Sequence, residues 1–429
     1  MIEIKIKFTE NKHYEIKKQY TDNLLKSISA FSNYDGGKIL IGIDESSNKV
    51  VGVSDYINTK LKIENKINDT ISPRPKYEIN VLHYENDYLL EIVVHSGLNT
   101  PYLYKGVAFQ RRDTSTVPVD QMALIELSLK GKNISYDQLE LDDENLDFTL
   151  LSDALKTVKN ISGFNNDILV TLGLLSNEKY NIAAKLLADK NNEEQLGIDI
   201  VRFGDSISVF LDRETLSGIS ILKQYEDSIE MFKKHFPEIE VVEGLKRVKK
   251  TAIPYEAFRE ALANAIAHRD YSINAHIKIE MYDNRIEIIS PGGLPFGLTE
   301  ENYLKDNLSI LRNVVISHVM HTLEIIESFG TGIRRINNAY ATYKKKPKFI
   351  VNDNFIKVIL PNVLFDDSNM NDDARILNLL DIRVEITRQD VENLLGVNKT
   401  KAIELLNDFK KRKIIDSFGA SKSITYKKI

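Results

Sequence analysis

The sequence FREALANAIAHRDYS, residues 258–272, decides how the rest of the chain is interpreted. Phe258, Leu262 and Ile266 recur at helical spacing, so they predict a helix with one apolar face. Glu260 and Asn264 are four residues apart and would share another face of this helix. An acid and an amide placed in this way can hold a magnesium ion and a water molecule against a phosphate chain. Two ordinary polar residues on a helix would produce the same pattern.

The segments that follow favour the phosphate site. Residues 277–281 and 285–289 alternate as two strands joined by a short turn. SPGGLPFGL, residues 290–298, is too rich in Gly and Pro for a helix or a strand. A second glycine segment, SFGTGI at residues 328–333, precedes a helical pattern. Glycines before a helix let backbone N–H groups approach an anion, which the helix N-terminus also favours.

This order of elements resembles the GHKL ATPase fold, which gyrases and histidine kinases share. Glu260 and Asn264 match its Glu-x-x-x-Asn box. Its two glycine boxes are matched by Gly292-Gly293 and by Gly330-Thr331-Gly332. HRDY, SPGGLP and GTGIRR are more closely similar to the divergent GHKL domain of bacterial proteins described as RecG-like or as transcriptional regulators. We assign residues 146–362 to this domain.

The resemblance implies that the domain binds ATP with Mg²⁺. It makes Asn264 the magnesium ligand and Glu260 the general base if ATP is hydrolysed. The chain departs from the GHKL pattern where adenine is recognised, because Ile289 or Ser290 stands in place of the usual aspartate.

Two further side chains are candidates for the same pocket. His268 follows Asn264 by one helical turn, and Arg312 falls where GHKL proteins place a mobile lid, within reach of a phosphate. A structural histidine at a helix end and a structural ion pair of Arg312 are the alternatives.

Composition bounds the class of protein. The chain has 429 residues, which predicts about three domains. It contains 0 cysteines, which excludes disulfides, thiol catalysis and cysteine-bound zinc. No apolar run is long enough to cross a bilayer, and the sequence start does not resemble a signal peptide, so we expect a cytoplasmic protein without membrane contact. The net charge of −5 means that nucleic-acid binding would need a local basic patch.

The N-terminal part carries a second resemblance. EIK at residues 15–17, AFSNYDGG at 30–37 and IGID at 41–44 are similar to the AlbA-2 domain of the Schlafen superfamily. YLYKGVAFQRRDTST, residues 102–116, is similar to a later strand and loop of that domain, with Asp113 where the family has glycine. We assign residues 1–129 to this domain.

The AlbA-2 resemblance implies one of two chemistries. Many bacterial members are presumed only to bind nucleic acid, whereas Schlafen nucleases cut RNA with three carboxylates and a divalent metal. Glu10, Glu15 and Asp44 match those carboxylates, and would hold Mg²⁺ or Mn²⁺, with Lys17 stabilising developing charge. Surface ion pairs and a turn aspartate are the alternative, and we place that alternative slightly ahead.

Arginines near the end of the AlbA-2 match predict phosphate contact. Arg111 and Arg112 are adjacent, and the guanidinium fork suits phosphate oxygens. A solvated strand end is the alternative.

The C-terminal residues 373–429 predict a winged helix-turn-helix. Thr387 to Asp390 form a capping box, Gly396 suits a helix end and Asn398 can cap the next helix. Lys399, Thr400 and Lys401 begin that helix, where a recognition helix meets DNA. A protein–protein module is the alternative.

The sequence thus predicts an α+β multidomain protein with a Schlafen AlbA-2 α/β domain, a GHKL-like α/β sandwich and a winged helix-turn-helix. We expect a nucleotide-responsive nucleic-acid-binding protein, with DNA on the winged helix and RNA or DNA on the N-terminal domain. GHKL domains often act as dimers, which implies a homodimer. The alternatives are a metal-dependent ribonuclease regulated by ATP and a GHKL-like scaffold that binds no nucleotide. A role in transcription or in defence against phage would suit this architecture.

Overall fold

The computed structural model describes residues 9–47, 49–142, 145–204, 207–243, 246–295, 298–304, 310–327, 331–365, 371–383, 385–419 and 424–428. The chain divides into two compact units. One comprises residues 1–142 with 179–182, and the other comprises residues 143–178 with 183–429. The regions predicted as GHKL-like and winged-helix domains therefore fall within the same unit, apart from residues 179–182.

In its described residues, the first unit contains two four-stranded sheets, the two-stranded β3–β4 sheet and three α-helices. The strands are β1 (Tyr14–Lys17), β2 (Gly37–Ile41), β3 (Ile43–Asp44), β4 (Lys49–Val50), β5 (Ile71–Ser72), β6 (Tyr77–Tyr84), β7 (Asp87–Val94), β8 (Leu103–Tyr104), β9 (Val107–Arg112) and β10 (Ser115–Pro118). The helices are α1 (Leu24–Asn33), α2 (Tyr56–Thr70) and α3 (Gln121–Lys132), with a 3₁₀ turn at Tyr136–Gln138. The sheets have the orders β1-β2-β7-β6 and β10-β9-β8-β5. Helix α1 packs against both sheets and is buried along most of its length, so it forms the centre of this core.

The elements after residue 145 begin with α4 (Thr149–Lys159), α5 (Asn166–Thr171), β11 (Leu175–Ser176), β12 (Lys179–Tyr180), α6 (Ile182–Leu187), β13 (Ile198–Phe203), β14 (Phe210–Leu216), α7 (Ile221–His235), β15 (Ile239–Glu243) and β16 (Lys246–Lys250). They continue with α8 (Tyr255–His268), β17 (Ile277–Met281), β18 (Arg285–Pro291), α9 (Glu300–Leu304), α10 (Val314–Thr322), α11 (Gly332–Ala339), β19 (Lys348–Val351) and β20 (Phe355–Pro361). A six-stranded sheet of order β14-β13-β17-β18-β20-β19 carries α7 and α8. Phe258 of α8 stacks on Phe232 of α7 at 4.2 Å between ring centroids. The predicted apolar face of α8 is therefore buried.

The last elements form a small cluster with its own core. They are α12 (Asp372–Ile382), β21 (Ile386–Thr387), α13 (Arg388–Leu395), α14 (Lys399–Lys411), β22 (Ile415–Phe418) and β23 (Thr425–Lys428). The three strands pair in the order β21-β23-β22. The capping box of Thr387 and Asp390 is present, and Gly396 ends α13 with φ of 67°. These local predictions are confirmed, and the assignment of the cluster as a DNA-binding winged helix stays a prediction.

The structure confirms the mixed α/β multidomain class. Helix α3 runs to Lys132 and ends at Asn133 in a left-handed conformation, and the domain limit expected at residue 129 stays a prediction. Helix α7 begins at Ile221, because Ser220 caps it and Leu216 still belongs to β14. In the described parts of the chain, no helix is both long and apolar enough to span a bilayer.

Candidate functional sites

Helix α8 brings Glu260 and Asn264 together as predicted. Asn264 Nδ2 donates to Glu260 Oε1 over 3.3 Å. Burial raises the pKa of Glu260, while the nearby Arg335 guanidinium and the Asn264 amide act in the opposite direction. A buried carboxylate with a raised pKa beside a hydrogen-bonding amide has the character of a general base.

Gly332, in the described part of the second glycine segment, lies directly against this pair. Gly332 is the first residue of α11, and a Cβ atom there would lie 2.7 Å from Glu260 Oε1 and closer still to Asn264 Nδ2. Only glycine fits this approach without displacing the two side chains. Unsatisfied backbone N–H groups at a helix start attract anions, so the acid–amide pair meets an anion-favouring helix end. Thr331 is the N-cap of α11, and Gly330 lies outside the described residues.

Arg335, on the second turn of α11, connects the glycine segment to two carboxylates. Its Nη1 lies 3.9 Å from Glu260 Oε2. Its Nη2 forms an ion pair with Glu327, which precedes the glycine segment. Sequence reasoning missed Arg335 as a site residue, although its position directly after the glycine segment was a usable signal.

The first glycine loop is held by Arg312. Arg312 Nη2 donates to the Gly293 carbonyl over 3.0 Å, and Nη1 lies 3.2 Å from Asp270 Oδ2. Gly292 has a φ of 96°, and a Cβ atom there would lie 2.5 Å from Asp270 Cβ. Arg312 therefore joins the loop to the end of α8, which is the structural ion pair given above as the alternative.

The residues at the end of α8 have structural roles. Burial, and then the nearby Arg312 charge, lower the pKa of His268 to about 4, so its imidazole is neutral at neutral pH. Arg269 is fully buried and donates to backbone carbonyl oxygens, including those of Gly197 and Ile273. These contacts fix the loop that carries Asp270.

Ser290, one of the two residues that stand where the adenine-binding aspartate is expected, already forms a hydrogen bond inside the fold. Ser290 is buried at the end of β18, and its hydroxyl donates to the Ala265 carbonyl of α8 over 2.8 Å. The hydroxyl therefore joins strand to helix, and recognition of a base would come from other groups.

Three carboxylates of the first unit surround the ammonium group of Lys17. Lys17 Nζ lies 3.0 Å from Glu10 Oε1, 2.7 Å from Glu45 Oε1 and 3.8 Å from Glu15 Oε1. Asp44 instead accepts hydrogen bonds from Ser46 and Lys18, which lower the pKa of Asp44 to about 2. Sequence reasoning missed Glu45, whose only signal was its position next to Asp44.

The predicted set of Glu10, Glu15 and Asp44 therefore does not meet at one point. Within the ranges that the structure describes, no group of three His, Cys, Asp or Glu side chains is arranged to hold a metal ion. The ammonium of Lys17 neutralises the position where Glu10, Glu15 and Glu45 approach one another, and a divalent cation does not fit there without moving it.

Arg111 is buried, whereas Arg112 is exposed. Arg111 Nη1 donates to Glu15 Oε2 over 3.0 Å, and the two side chains are 4% and 8% exposed. Nη2 donates to the Asn11 carbonyl, and the guanidinium lies 5.6 Å from the Phe31 ring centroid. Because both terminal nitrogens of its guanidinium form hydrogen bonds inside the domain, Arg111 has a structural role, and Arg112 is the arginine that faces solvent.

The predicted DNA-contacting residues lie exposed at the start of α14. Asn398 Oδ1 accepts from the Lys401 N–H over 3.0 Å and caps the helix. Lys399, Thr400 and Lys401 are exposed there. Lys401 Nζ also lies 3.1 Å from Glu404, an exposed pair that costs little to break.

Two family models match the chain. Residues 3–120 match the model described as "Schlafen, AlbA_2". Residues 274–360 match the model described as "Putative ATP-dependent DNA helicase recG C-terminal". The chain therefore contains an AlbA_2-type domain of the Schlafen family and a RecG C-terminal-type domain, and both predicted resemblances are confirmed.

Two solved structures share about a fifth of their aligned residues with this chain. The DIP2311 protein from Corynebacterium diphtheriae is 20% identical, with 96% of this chain and 91% of that chain covered and a TM-score of 0.48. The N-terminal domain of a putative ATP-dependent DNA helicase RecG-related protein from Nitrosomonas europaea is 20% identical, with 27% and 84% covered and a TM-score of 0.21. No curated protein matches the chain.

Proposed function

We propose that this chain is a nucleotide-responsive nucleic-acid-binding protein. The GHKL-like domain binds ATP with Mg²⁺, and the AlbA_2 domain and the winged helix bind nucleic acid. The observation that carries the proposal is the approach of Gly332 to Glu260 and Asn264. It unites the glycine segment with the acid–amide pair, although more than 60 residues separate them in sequence.

The residues present fit a magnesium-bound phosphate chain. Asn264 offers an amide oxygen to the metal, Glu260 offers a base for a water molecule, and the start of α11 offers backbone N–H groups. Bound magnesium would neutralise phosphate charge. Glu260 and Asn264 would orient the water, and burial would exclude bulk solvent from the carboxylate.

Arg335 supplies a route from nucleotide binding to a conformational change. A phosphate at the start of α11 would attract Arg335 away from Glu260 and Glu327. Glu327 lies just before the second glycine segment in sequence, so losing this ion pair would release Glu327 from α11. Nucleotide would then shift the protein between two states because it binds one of them better.

The winged-helix assignment is supported by the arrangement of the C-terminal elements. Helices α13 and α14 are joined by the short turn at Gly396, and the β22–β23 hairpin follows α14. In such folds the helix after the turn enters the major groove of DNA. The exposed Lys399 and Lys401 are then placed to contact phosphates.

Removing both lysines tests this DNA contact. Lys399→Ala combined with Lys401→Ala should weaken duplex binding and reduce the slope of log K against log salt by roughly two units, since each lost phosphate contact lowers it by about 0.9. Fluorescence anisotropy across a salt series measures the slope. The control is Lys156→Ala with Lys159→Ala, which removes two lysines from the end of α4. An unchanged slope in the α14 variant would remove that helix from the DNA interface.

Metal-dependent RNA cleavage is the second candidate function. It is favoured by the gathering of Glu10, Glu15 and Glu45 around Lys17. It is opposed by the separate position of Asp44 and by the charge of Lys17, so the binding function stands first.

An RNA cleavage assay separates the two functions of the N-terminal domain. We expect tRNA incubated with the protein and Mn²⁺ to show no cleavage beyond that of Glu10→Gln, because the Lys17 ammonium already occupies the position between the carboxylates. Products are resolved on a denaturing gel. Glu85→Gln, at the tip of the β6–β7 hairpin, is the matched carboxylate control. Cleavage by the wild type and Glu85→Gln, lost in Glu10→Gln, would establish the nuclease.

The proposal extends to cytoplasmic function as a homodimer in transcription or in defence against phage. The combination of a nucleotide switch with two nucleic-acid-binding arms supports those roles.

A further inference from the structure

Among the described strands, β6 is an outer edge of the AlbA_2 sheet, with Glu78 as its one carboxylate. It is the outer strand in the order β1-β2-β7-β6, and β7 is its one partner among the described strands. Val81 is 40% exposed, Leu82 38% and Tyr84 39%. Edge strands of this length are usually protected by lysine, proline or a bulge. The sequence YEINVLHY, residues 77–84, contains no lysine or proline, and its pairing with β7 has no register shift.

The backbone groups of β6 alternate between β7 and the open edge. Tyr84 and Asp87 flank a two-residue turn, so they form a hydrogen-bonded pair. The even-numbered residues of β6 therefore direct their N–H and C=O groups towards β7. The bond from the His95 N–H to the Lys76 carbonyl agrees with this alternation. Tyr77, together with the other odd-numbered residues of β6, offers its groups to the open edge.

We propose that β6 pairs antiparallel with β6 of a second copy of this chain. In a pairing about a twofold axis perpendicular to the sheet, two residues opposite each other have their side chains on the same face. An odd-numbered residue must therefore pair with an odd-numbered one, and an even-numbered residue with an even-numbered one. In the register centred on Asn80, Ile79 faces Val81 of the second copy and Tyr77 faces His83. All four of these residues direct their N–H and C=O groups to the open edge of the described sheet, so the register would pair each of them.

The side chains of this register suit each other. Ile79 and Val81 form an aliphatic cross-strand pair, and Tyr77 and His83 form a pair of planar rings, the combinations that stabilise sheets. Tyr77 and Ile79 already pack against the hydrophobic core of their own unit. In the pairing they would provide apolar surface against which the exposed Val81 and His83 of the second copy pack.

An aromatic row on the same face would be extended by the pairing. The Tyr56 and Tyr88 rings are 4.4 Å apart, and the Tyr88 and His83 rings 5.1 Å apart. Tyr77 of the second copy would stand next to His83 and lengthen the row by one ring. Aromatic residues of this kind are enriched at protein interfaces rather than on free surfaces.

A cysteine cross-link tests the register directly, because the chain has 0 cysteines of its own. Asn80 of the two copies would form a non-hydrogen-bonded pair with Cα atoms about 4.5 Å apart, within the range that a disulfide spans. Asn80→Cys should give a disulfide-linked dimer under mild oxidation. Glu78→Cys is the control, since residue 78 faces Leu82 of the second copy and should cross-link at least tenfold more slowly. Equal rates for the two variants, or no cross-linked dimer of Asn80→Cys, would overturn the proposal.

Solution mass tests the interface without a cross-link. The wild-type chain should be dimeric by sedimentation equilibrium, and Val81→Lys should raise the dimer Kd at least tenfold. Ile57→Lys is the control, because Ile57 is exposed to 66% on α2 of the same unit and lies outside β6. A monomeric wild type, or equal weakening by both variants, would contradict the β6 interface.

Discussion

Replacing Asn264 with alanine is expected to weaken ATP binding by about tenfold to a hundredfold, the cost of losing hydrogen bonds to charged groups. The amide stands next to Glu260 at the start of α11, where the proposed magnesium ion and phosphates would lie. Alanine is the best helix former, so α8 should persist in the variant. Isothermal titration calorimetry with ATP and MgCl₂ measures the loss.

Gly332→Ala tests the same site from the opposite side. The new methyl group would collide with Asn264 and Glu260, so nucleotide binding should fall as in Asn264→Ala while helix α11 is retained. Gly163→Ala is the matched control, because a Cβ atom at Gly163 would meet nothing within 4 Å. Wild-type affinity in both Gly332→Ala and Asn264→Ala would contradict the assignment of the site, and the GHKL-like domain would then be a scaffold.

Replacing Arg111 with alanine is expected to cost about 3–5 kcal/mol of stability in the AlbA_2 domain, the usual result of removing one partner of a buried ion pair. The Glu15 carboxylate would stay buried without the Arg111 guanidinium that lies 3.0 Å from it. The Lys17 ammonium would then be 3.8 Å from that carboxylate. Hydrogen exchange read on peptides from β1 and β9 reports this loss locally, as amide exchange faster by a hundredfold or more, since each 1.4 kcal/mol is about tenfold.

Arg112→Ala is the control for Arg111→Ala, because it removes the same side chain from the adjacent exposed position. We expect its effect on stability to stay within about 0.5 kcal/mol, as for most surface substitutions. Equal exchange in the two variants would show that the Arg111–Glu15 pair does not hold the domain together.

The acid–amide pair of the proposed nucleotide site was predictable because its contact is short in sequence. Glu260 and Asn264 lie one helical turn apart, so helical geometry alone brings them together. The approach of Gly332 was indicated only by resemblance, since no local rule connects residues more than 60 positions apart. The role of Arg335 depends on the orientation of α11, which the sequence does not specify.

The N-terminal cluster was predicted less well, because its contacts join separate elements. Arg111 was taken for a surface residue, although it shares strand parity with the buried Phe109 and therefore faces the core. Glu45, rather than Asp44, reaches Lys17, because Asp44 is held in its own turn by Ser46. Side-chain choices of this kind are decided by loop geometry.

Parts of the fold were missed where the hydrophobic pattern is sparse. Helix α2 spans 15 residues, yet Ile63 and Ile67 are its only buried side chains, so its apolar stripe is hard to distinguish from a polar loop. Helix α7 has a clearer start signal, because the Ser220 side chain caps it.

Control of nucleic-acid binding by nucleotide is the central claim, and one titration tests it most directly. A fluorescent DNA duplex is titrated with the full chain at fixed salt, with and without ATP and MgCl₂, using the wild type and Asn264→Ala. We predict that ATP changes the wild-type Kd by about fivefold or more, the usual lower limit of coupling between sites, and leaves that of Asn264→Ala unchanged. A wild-type Kd unaffected by ATP at concentrations that calorimetry shows to be saturating would contradict the account.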